Sequence, residues 1–448
     1  MANRPLLSLV LLYAAALLAC GEGSWSPSQI AAPPCAGKCD SPFAALTSID
    51  GLAVQEVVGY GSRLRFELGL DQPVDHEAPE GARFSHRATL LHRSADAPVV
   101  VYLNGYSHSA PWSTAELTGM LDANQLYIEH RFFGSSRPTQ IDWSQLTISQ
   151  AAADVHRFIS ALKTIYSGPW VSTGVSKGGM ASAYHRRFYP DDVDATVVYV
   201  APLYLQAPDD RYLPFFETVG TDDCRQRLAD LQRELLRRRT QVLPLIAGWA
   251  HTRGYTYDRL GDGPAFEAAI AWLPWYFWQY RTRNDCQWIP GTEASDVDLV
   301  AFLTNSWYEG PLSWVADQTI ERYDAYHVQR LTQTGHPRLP DTDVRDLMQT
   351  DPSVEIDAYL PTGAQGSFDE TSMQDVERWF REDARGLIFV YGEDDPYTVG
   401  PFPLHAEQTY RFVAPAANHD ASIHLLGDED RKQALGLLGT WLGVPIDQ

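Results

Sequence analysis

Runs of β-branched and apolar residues alternate along this chain with stretches whose apolar positions recur every three or four residues. Residues 98–103 are almost wholly apolar and end at Asn104-Gly105, which predicts a strand buried on both faces. Residues 125–130 predict a second strand. Residues 148–166 place Ala152, Val155, Phe158, Ile159, Leu162 and Ile165 at helical spacing and predict a crossover helix. Residues 170–174 form a short strand running into Ser176, and a helix follows from Met180. Another strand covers 195–200 and stops at Ala201-Pro202. The pattern returns with strands at 386–391 and 409–413 and an amphipathic helix at 432–442. Strands alternating with helices predict an α/β fold with a mostly parallel sheet flanked by helices.

Between these halves the pattern changes. Residues 203–385 show no clear strand alternation and are rich in helix formers, arginine and aromatics, with helices expected at 228–239, 268–280 and 312–330. The expected organisation is therefore a core of 46–202 and 386–448 carrying a helical lid insertion at 203–385. Trp272, Trp275, Tyr276, Phe277, Trp278 and Tyr280 are too densely spaced to share one helix face, so some are expected to leave the core and line a cleft.

Composition narrows the function classes. The chain has 448 residues, of which 44% are hydrophobic and 21% charged, the balance of a globular protein with a large core. A net charge of −22 argues against nucleic acid and anionic membrane surfaces as partners. It serves solubility first, and would also favour a cationic group such as a peptide's free amino terminus.

The amino terminus reads as a targeting segment. Arg4 precedes an apolar stretch at 6–19, of signal-peptide length and too short for a stable bilayer span. It ends at Leu17-Leu18-Ala19-Cys20, similar to a bacterial lipobox, with Cys20 the lipidated residue. Leu18 stands where a small residue is usual, which leaves ordinary cleavage nearby as the alternative. Residues 21–45 then form a flexible tether. Removing Cys20 from the five cysteines leaves Cys35, Cys39, Cys224 and Cys286. An even remainder in an exported chain predicts disulfides, Cys35–Cys39 locally and Cys224–Cys286 across the insertion. No His-rich spacing accompanies them, and no metal is expected.

The chemistry centres on Gly174-Val175-Ser176-Lys177-Gly178. Small neighbours permit a strand to turn sharply into a helix, leaving the serine hydroxyl exposed at the sheet's carboxyl edge. A serine nucleophile needs a base, and the base an orienting carboxylate, in the chain order Ser, acid, His. Residues 392–397 follow a strand and supply Asp395, before a proline that favours extended backbone, with Asp394 and Glu393 as rivals. His419 follows the last strand, with His424 and His405 as rivals. The oxyanion donors expected are the amides of Lys177 and of Tyr106, in the loop after the 98–103 strand.

At residues 127–138 the chain resembles the E-[HQ]-R-[FY]-[FY]-G-x-S motif of serine exopeptidases related to prolyl carboxypeptidase. Together with the G-x-S-K-G-G turn at Ser176, it is similar to the secreted bacterial tripeptidyl aminopeptidase family, over roughly residues 62–442. The ending also matches, at Tyr391-Gly392, Asp395-Pro396-Tyr397 and Asn418-His419. The resemblance implies an α/β-hydrolase fold, cleavage near a free amino terminus, Ser176, Asp395 and His419 as triad, peptides as substrates, and no cofactor. It leaves Glu129 and Arg131 either shaping the substrate site or forming a structural ion pair. The triad alone does not choose amide over ester, so a carboxylesterase is the runner-up reading. A non-catalytic binding protein on the same scaffold is the rival of another class.

Overall fold

In the computed structural model, nine strands pair into one sheet in the order β1-β2-β3-β5-β4-β6-β7-β8-β9. The structure describes residues 42–446 apart from 61–62, 109–113, 305–309, 352–355 and 407. Cys20, Cys35 and Cys39 lie outside the described residues, and so do the expectations that rest on them. The strands are β1 (Leu52–Tyr60), β2 (Arg63–Pro73), β3 (Arg83–His92), β4 (Val99–Leu103), β5 (Asn124–Ile128), β6 (Trp170–Val175), β7 (Ala195–Tyr199), β8 (Leu387–Gly392) and β9 (Thr409–Ala414). Strands β1 to β3 pair antiparallel, as do β3 and β5, and β4 to β9 are parallel. This is the α/β-hydrolase fold.

The parallel strands form where the sequence is apolar without alternation. β4, β7 and β8 are packed on both faces, and β7 and β8 are buried at every position. On one face the helix Ile148–Leu162, capped by the Thr147 hydroxyl on Gln150 N, packs Phe158, Ile159 and Leu162 on Leu90, Val101 and Leu126. On the other, the helix Asp428–Leu442 packs Leu435 and Leu438 on Val100, Val171 and Ile388.

Strand order positions the site. The chain leaves β4 for β5 on one side and returns to β6 on the other. Such a reversal opens a crevice at the carboxyl ends of the strands, where ligands bind in open α/β sheets. β6, β8 and β9 end at that same edge.

Between β7 and β8 the described residues carry helices and no named strand. The helices Asp222–Arg237, Arg239–Arg253, Asp262–Tyr280 and Asp296–Thr304 bury Leu228, Leu235, Ile270 and Leu299 together. Phe132, Phe133 and Leu146 from the sheet side belong to the same cluster, so the insertion packs onto the core through continuous apolar contact. Cys224 and Cys286 form a disulfide with Cα atoms 5.3 Å apart, 62 residues apart in sequence. Closing a loop of that length contributes about 4 kcal/mol in the chain-entropy model. The helix expected at 312–330 is broken into Pro311–Trp314, Asp317–Arg322 and Asp324–Gln329. Asp317 explains the first break, because its backbone amide donates to Thr256 O at 2.9 Å instead of within a helix, and its carboxylate holds the same loop by accepting from Asp258 N, Arg259 N and the Thr256 hydroxyl. Of the lid aromatics, Trp275, Phe277 and Trp278 are core, whereas Trp272, Tyr276 and Tyr280 are half-buried.

Candidate active site

Ser176 sits between the last residue of β6 and the first of the helix Lys177–Phe188, with φ 57° and ψ −123°. A non-glycine residue at positive φ is strained and needs surroundings that over-determine it. Here Ser176 N donates to Tyr199 O at 2.9 Å, and Ser176 O accepts from Met180 N at 2.9 Å. The flanking glycines allow the helix to press on the sheet. A Cβ on Gly174 would lie 2.3 Å from Gly178 C, and one on Gly178 would lie 2.2 Å from Leu103 O.

Asp395 follows β8 and is fully buried. Its Oδ2 accepts from His419 Nδ1 at 2.8 Å, and its Oδ1 accepts from Tyr397 N at 3.3 Å. Burial pushes its carboxyl above the ordinary value, and the neighbouring His419 opposes that push. With Nδ1–H donating to Asp395, the tautomer leaves Nε2 as the basic nitrogen. The His419 ring lies 4.9 Å from that of Tyr397, which lines the same cavity as Ser176. The Tyr280 ring, from the insertion, meets His419 edge-on at 6.1 Å.

The rival acids and histidines have other partners. Asp394 takes both Nε and Nη2 of Arg283, from the insertion, at 2.6–3.0 Å. Glu393 accepts from Ala416 N at 2.8 Å and pairs with Arg283 at 3.2 Å. His424 bonds Glu116, and His405 bonds Ala384 O.

The loop after β4 faces the nucleophile turn. Gly105 has φ 79°, and a Cβ there would lie 2.6 Å from Gly178 N. The amides of Tyr106 and Lys177 donate to no protein acceptor among the described residues. Two unspent donors flanking the serine are what a developing oxyanion requires.

Glu129 and Arg131 border the cavity, yet their polar atoms are spent on the protein. Glu129 accepts from His108 N at 2.7 Å, Ser136 N at 2.9 Å and the Ser136 hydroxyl at 2.6 Å. It thereby ties the loop after β4 to the turn after β5. Gly134 is needed in that turn, since a Cβ would lie 2.2 Å from Glu129 Oε1. Arg131 pairs with Asp154, not with Glu129, at 2.7 Å, and both side chains are fully buried. It also donates to Gln145 O and Pro73 O. Both residues shape the site by holding its frame.

The cavity holds about 780 Å³ of space, counting its open mouth. It is lined by Gly105, Tyr106, Ser176, Met180 and Tyr184 and, from the insertion, by Tyr326, Gln329 and Gly335. Sequence reasoning missed Tyr326, Tyr397, Arg283 and the Lys177 side chain as parts of this neighbourhood. Tyr397 stood two residues from Asp395 in the quoted motif, whereas nothing in the sequence aligns Arg283 with Asp394.

A strained serine after β6, a buried carboxylate–imidazole pair after β8 and β9, and unspent amides beside the serine define a serine hydrolase arrangement on an α/β-hydrolase sheet. The chain belongs to the PS-10 peptidase S37 family, whose model matches residues 39–447, and it is a serine-type peptidase. It is 38% identical over 440 residues to the prolyl tri/tetrapeptidyl aminopeptidase of Streptomyces mobaraensis, covering 97% of this chain and 91% of that one. Solved structures it resembles include proline iminopeptidase from Mycobacterium smegmatis, 14% identical over 87% of this chain and 99% of that one, TM-score 0.39. A peroxisomal α/β-hydrolase from Saccharomyces cerevisiae is 10% identical over 86% and 92%, TM-score 0.37.

Proposed function

We propose that this protein is an exported aminopeptidase that removes short peptides, tripeptidyl or prolyl-containing, from free amino termini. The carrying observation is the buried Asp395–His419 hydrogen bond of 2.8 Å, on the sheet edge where Ser176 is held at positive φ. Ser176 Oγ attacks the scissile carbonyl while His419 Nε2 takes its proton. Asp395 orients the ring and stabilises its charged form. The amides of Lys177 and Tyr106 receive the oxyanion, each worth on the order of 10²–10³ in rate. His419 then protonates the leaving amine, and water releases the acyl group by the same steps in reverse. The similarity to a prolyl tri/tetrapeptidyl aminopeptidase supports the choice of substrate.

The test is a panel of tripeptidyl, prolyl and acyl-ester reporters, each with a free and a blocked amino terminus. Free-terminus peptides should be cleaved, and blocking should remove most of that activity. Activity confined to esters and indifferent to blocking would establish the carboxylesterase instead. Anchoring through Cys20 is part of the proposal, carried by the lipobox-like ending at 17–20. The activity should sediment with membranes and become soluble in a Cys20→Ala variant; an unchanged distribution would remove the anchor from the reading.

A further inference from the structure

The mechanism above uses the amide of Lys177 and leaves its side chain without a task. The chain carries only four lysines, Lys38, Lys163, Lys177 and Lys432, among 35 basic residues. The arginines around the site have acidic partners: Arg131 on Asp154, Arg137 on Asp324 and Arg283 on Asp394. Lys177 has none. It is 6% exposed, borders the Ser176 cavity, and makes no hydrogen bond or ion pair among the described residues. Its Nζ lies 5.6 Å from the centroid of the Tyr106 ring and 5.5 Å from that of Phe133. Burial lowers its amine to about 7.

A buried cation without an anion is costly, and cores elsewhere fill such positions with apolar side chains. A lysine kept here calls for an anion from outside the protein. The reaction makes one in this cavity. Hydrolysis of the acyl-Ser176 ester by water breaks the ester C–O bond, restores the serine hydroxyl and yields a carboxylic acid. That acid ionises at neutral pH, and the proton it releases can pass to a neutral amine.

We propose that Lys177 is a carboxylate-binding residue of the acyl pocket, pairing its ammonium with the carboxylate of the acid product and so holding that product against the next substrate. The proposal rests on Ser176 being the nucleophile. It makes the enzyme sensitive to peptides with a free carboxylate at the cleaved position and indifferent to the same peptides as amides. It also disfavours a cationic side chain in this pocket.

The other titratable groups facing this space do not supply the charge. Tyr106, Tyr204, Tyr326 and Tyr397 are pushed up by burial and stay neutral. His86 and His130 are pushed down by burial. Glu129 and Arg131 are already engaged, by Ser136 and Asp154. Among the described residues, the His419 imidazole is the other base that the mechanism uses, and the test separates it from Lys177.

The experiment is calorimetric titration of the Ser176→Ala protein with Ala-Ala-Pro as the free acid and as the amide. It is run at about pH 8 in buffers of different ionisation enthalpy. The acid should bind about tenfold or more tighter than the amide. Both carry the same amino terminus, whose own protonation on binding is common to the two, so the acid should take up close to one proton more than the amide. Adding Lys177→Met should bring the acid to the amide's affinity and abolish that difference in uptake. Adding Lys177→Arg should keep the affinity and abolish the difference, because a guanidinium is charged already. Adding His419→Gln should leave the difference in place. Equal affinities for acid and amide, failure of the acid to bind, or uptake that follows His419 rather than Lys177 would each overturn the proposal. Fluorophosphonate labelling of the wild-type serine reads the nucleophile separately. Label with equal affinities overturns the lysine's role alone, and no label overturns both.

Discussion

Ser176→Ala is expected to lower kcat on free-terminus peptides by on the order of 10⁶-fold and to abolish fluorophosphonate labelling, with KM little changed. The nucleophile is the one group that no neighbour replaces, and its loss leaves only binding and the oxyanion donors. Asp395→Asn should behave differently, losing about 10⁴-fold in kcat while keeping slow labelling. The asparagine offers an amide where Asp395 Oδ2 now accepts from His419 Nδ1 at 2.8 Å. The ring then turns to the tautomer whose Nε2 carries the proton and cannot serve as base. Steady-state kinetics and probe labelling of both variants check this together. Retained labelling in Ser176→Ala, or an Asp395→Asn loss below about tenfold, would remove the triad from the proposed mechanism.

The second large effect concerns stability. Arg131→Met should cost about 3–5 kcal/mol, because it leaves the buried Asp154 carboxylate without its guanidinium partner. Arg131 and Asp154 are both fully buried, and His76 Nε2 completes the cluster at 2.7 Å from Asp154. Replacing both partners with apolar residues should recover much of the loss. The pH dependence follows from the sign of the shift. Against the burial that would raise it, Arg131 and His76 hold the Asp154 carboxyl at about 2 in the folded protein, below its ordinary 3.8. A folded value below the unfolded one gives stability that is present above about pH 4 and lost as pH falls toward 2. Without Arg131, burial dominates, the carboxyl rises, and acid unfolding should begin at a higher pH. Urea midpoints measured across that range check both statements; an unchanged midpoint in Arg131→Met would contradict the assigned role.

Much of this was legible in the sequence for a physical reason. β4, β7 and β8 lie where unbroken or nearly unbroken apolar runs announce parallel strands buried on both faces. The glycines around Ser176 are fixed by backbone contact, so they appear as a local motif. The hairpins β1 to β3 went unassigned although Leu64, Phe66, Leu68 and Leu70 alternate with Arg63, Arg65, Glu67 and Gly69, the pattern of a half-buried strand, because the strand expectations rested on unbroken apolar runs. The choice of Asp395 among three adjacent acids rested on its proline, and the geometry gives His419 to Asp395 while Arg283 occupies Asp394. Arg131 could not be matched to Asp154, 23 residues onward, because only the packed helix Ile148–Leu162 brings them together. The helix expected at 312–330 failed because Asp317 bonds a distant loop, a tertiary contact that helical periodicity does not register.

The Arg283–Asp394 pair has a mechanical side. It fastens the insertion one residue away from Asp395, and Asp394 is 1% exposed. Arg137, in the turn after β5, and Asp324 fasten it a second time. Swinging the insertion away as a flap would break both pairs and expose to water the apolar cluster it shares with Phe132, Phe133 and Leu146. Entry that leaves both fastenings and that apolar contact in place is therefore the cheaper route for a substrate.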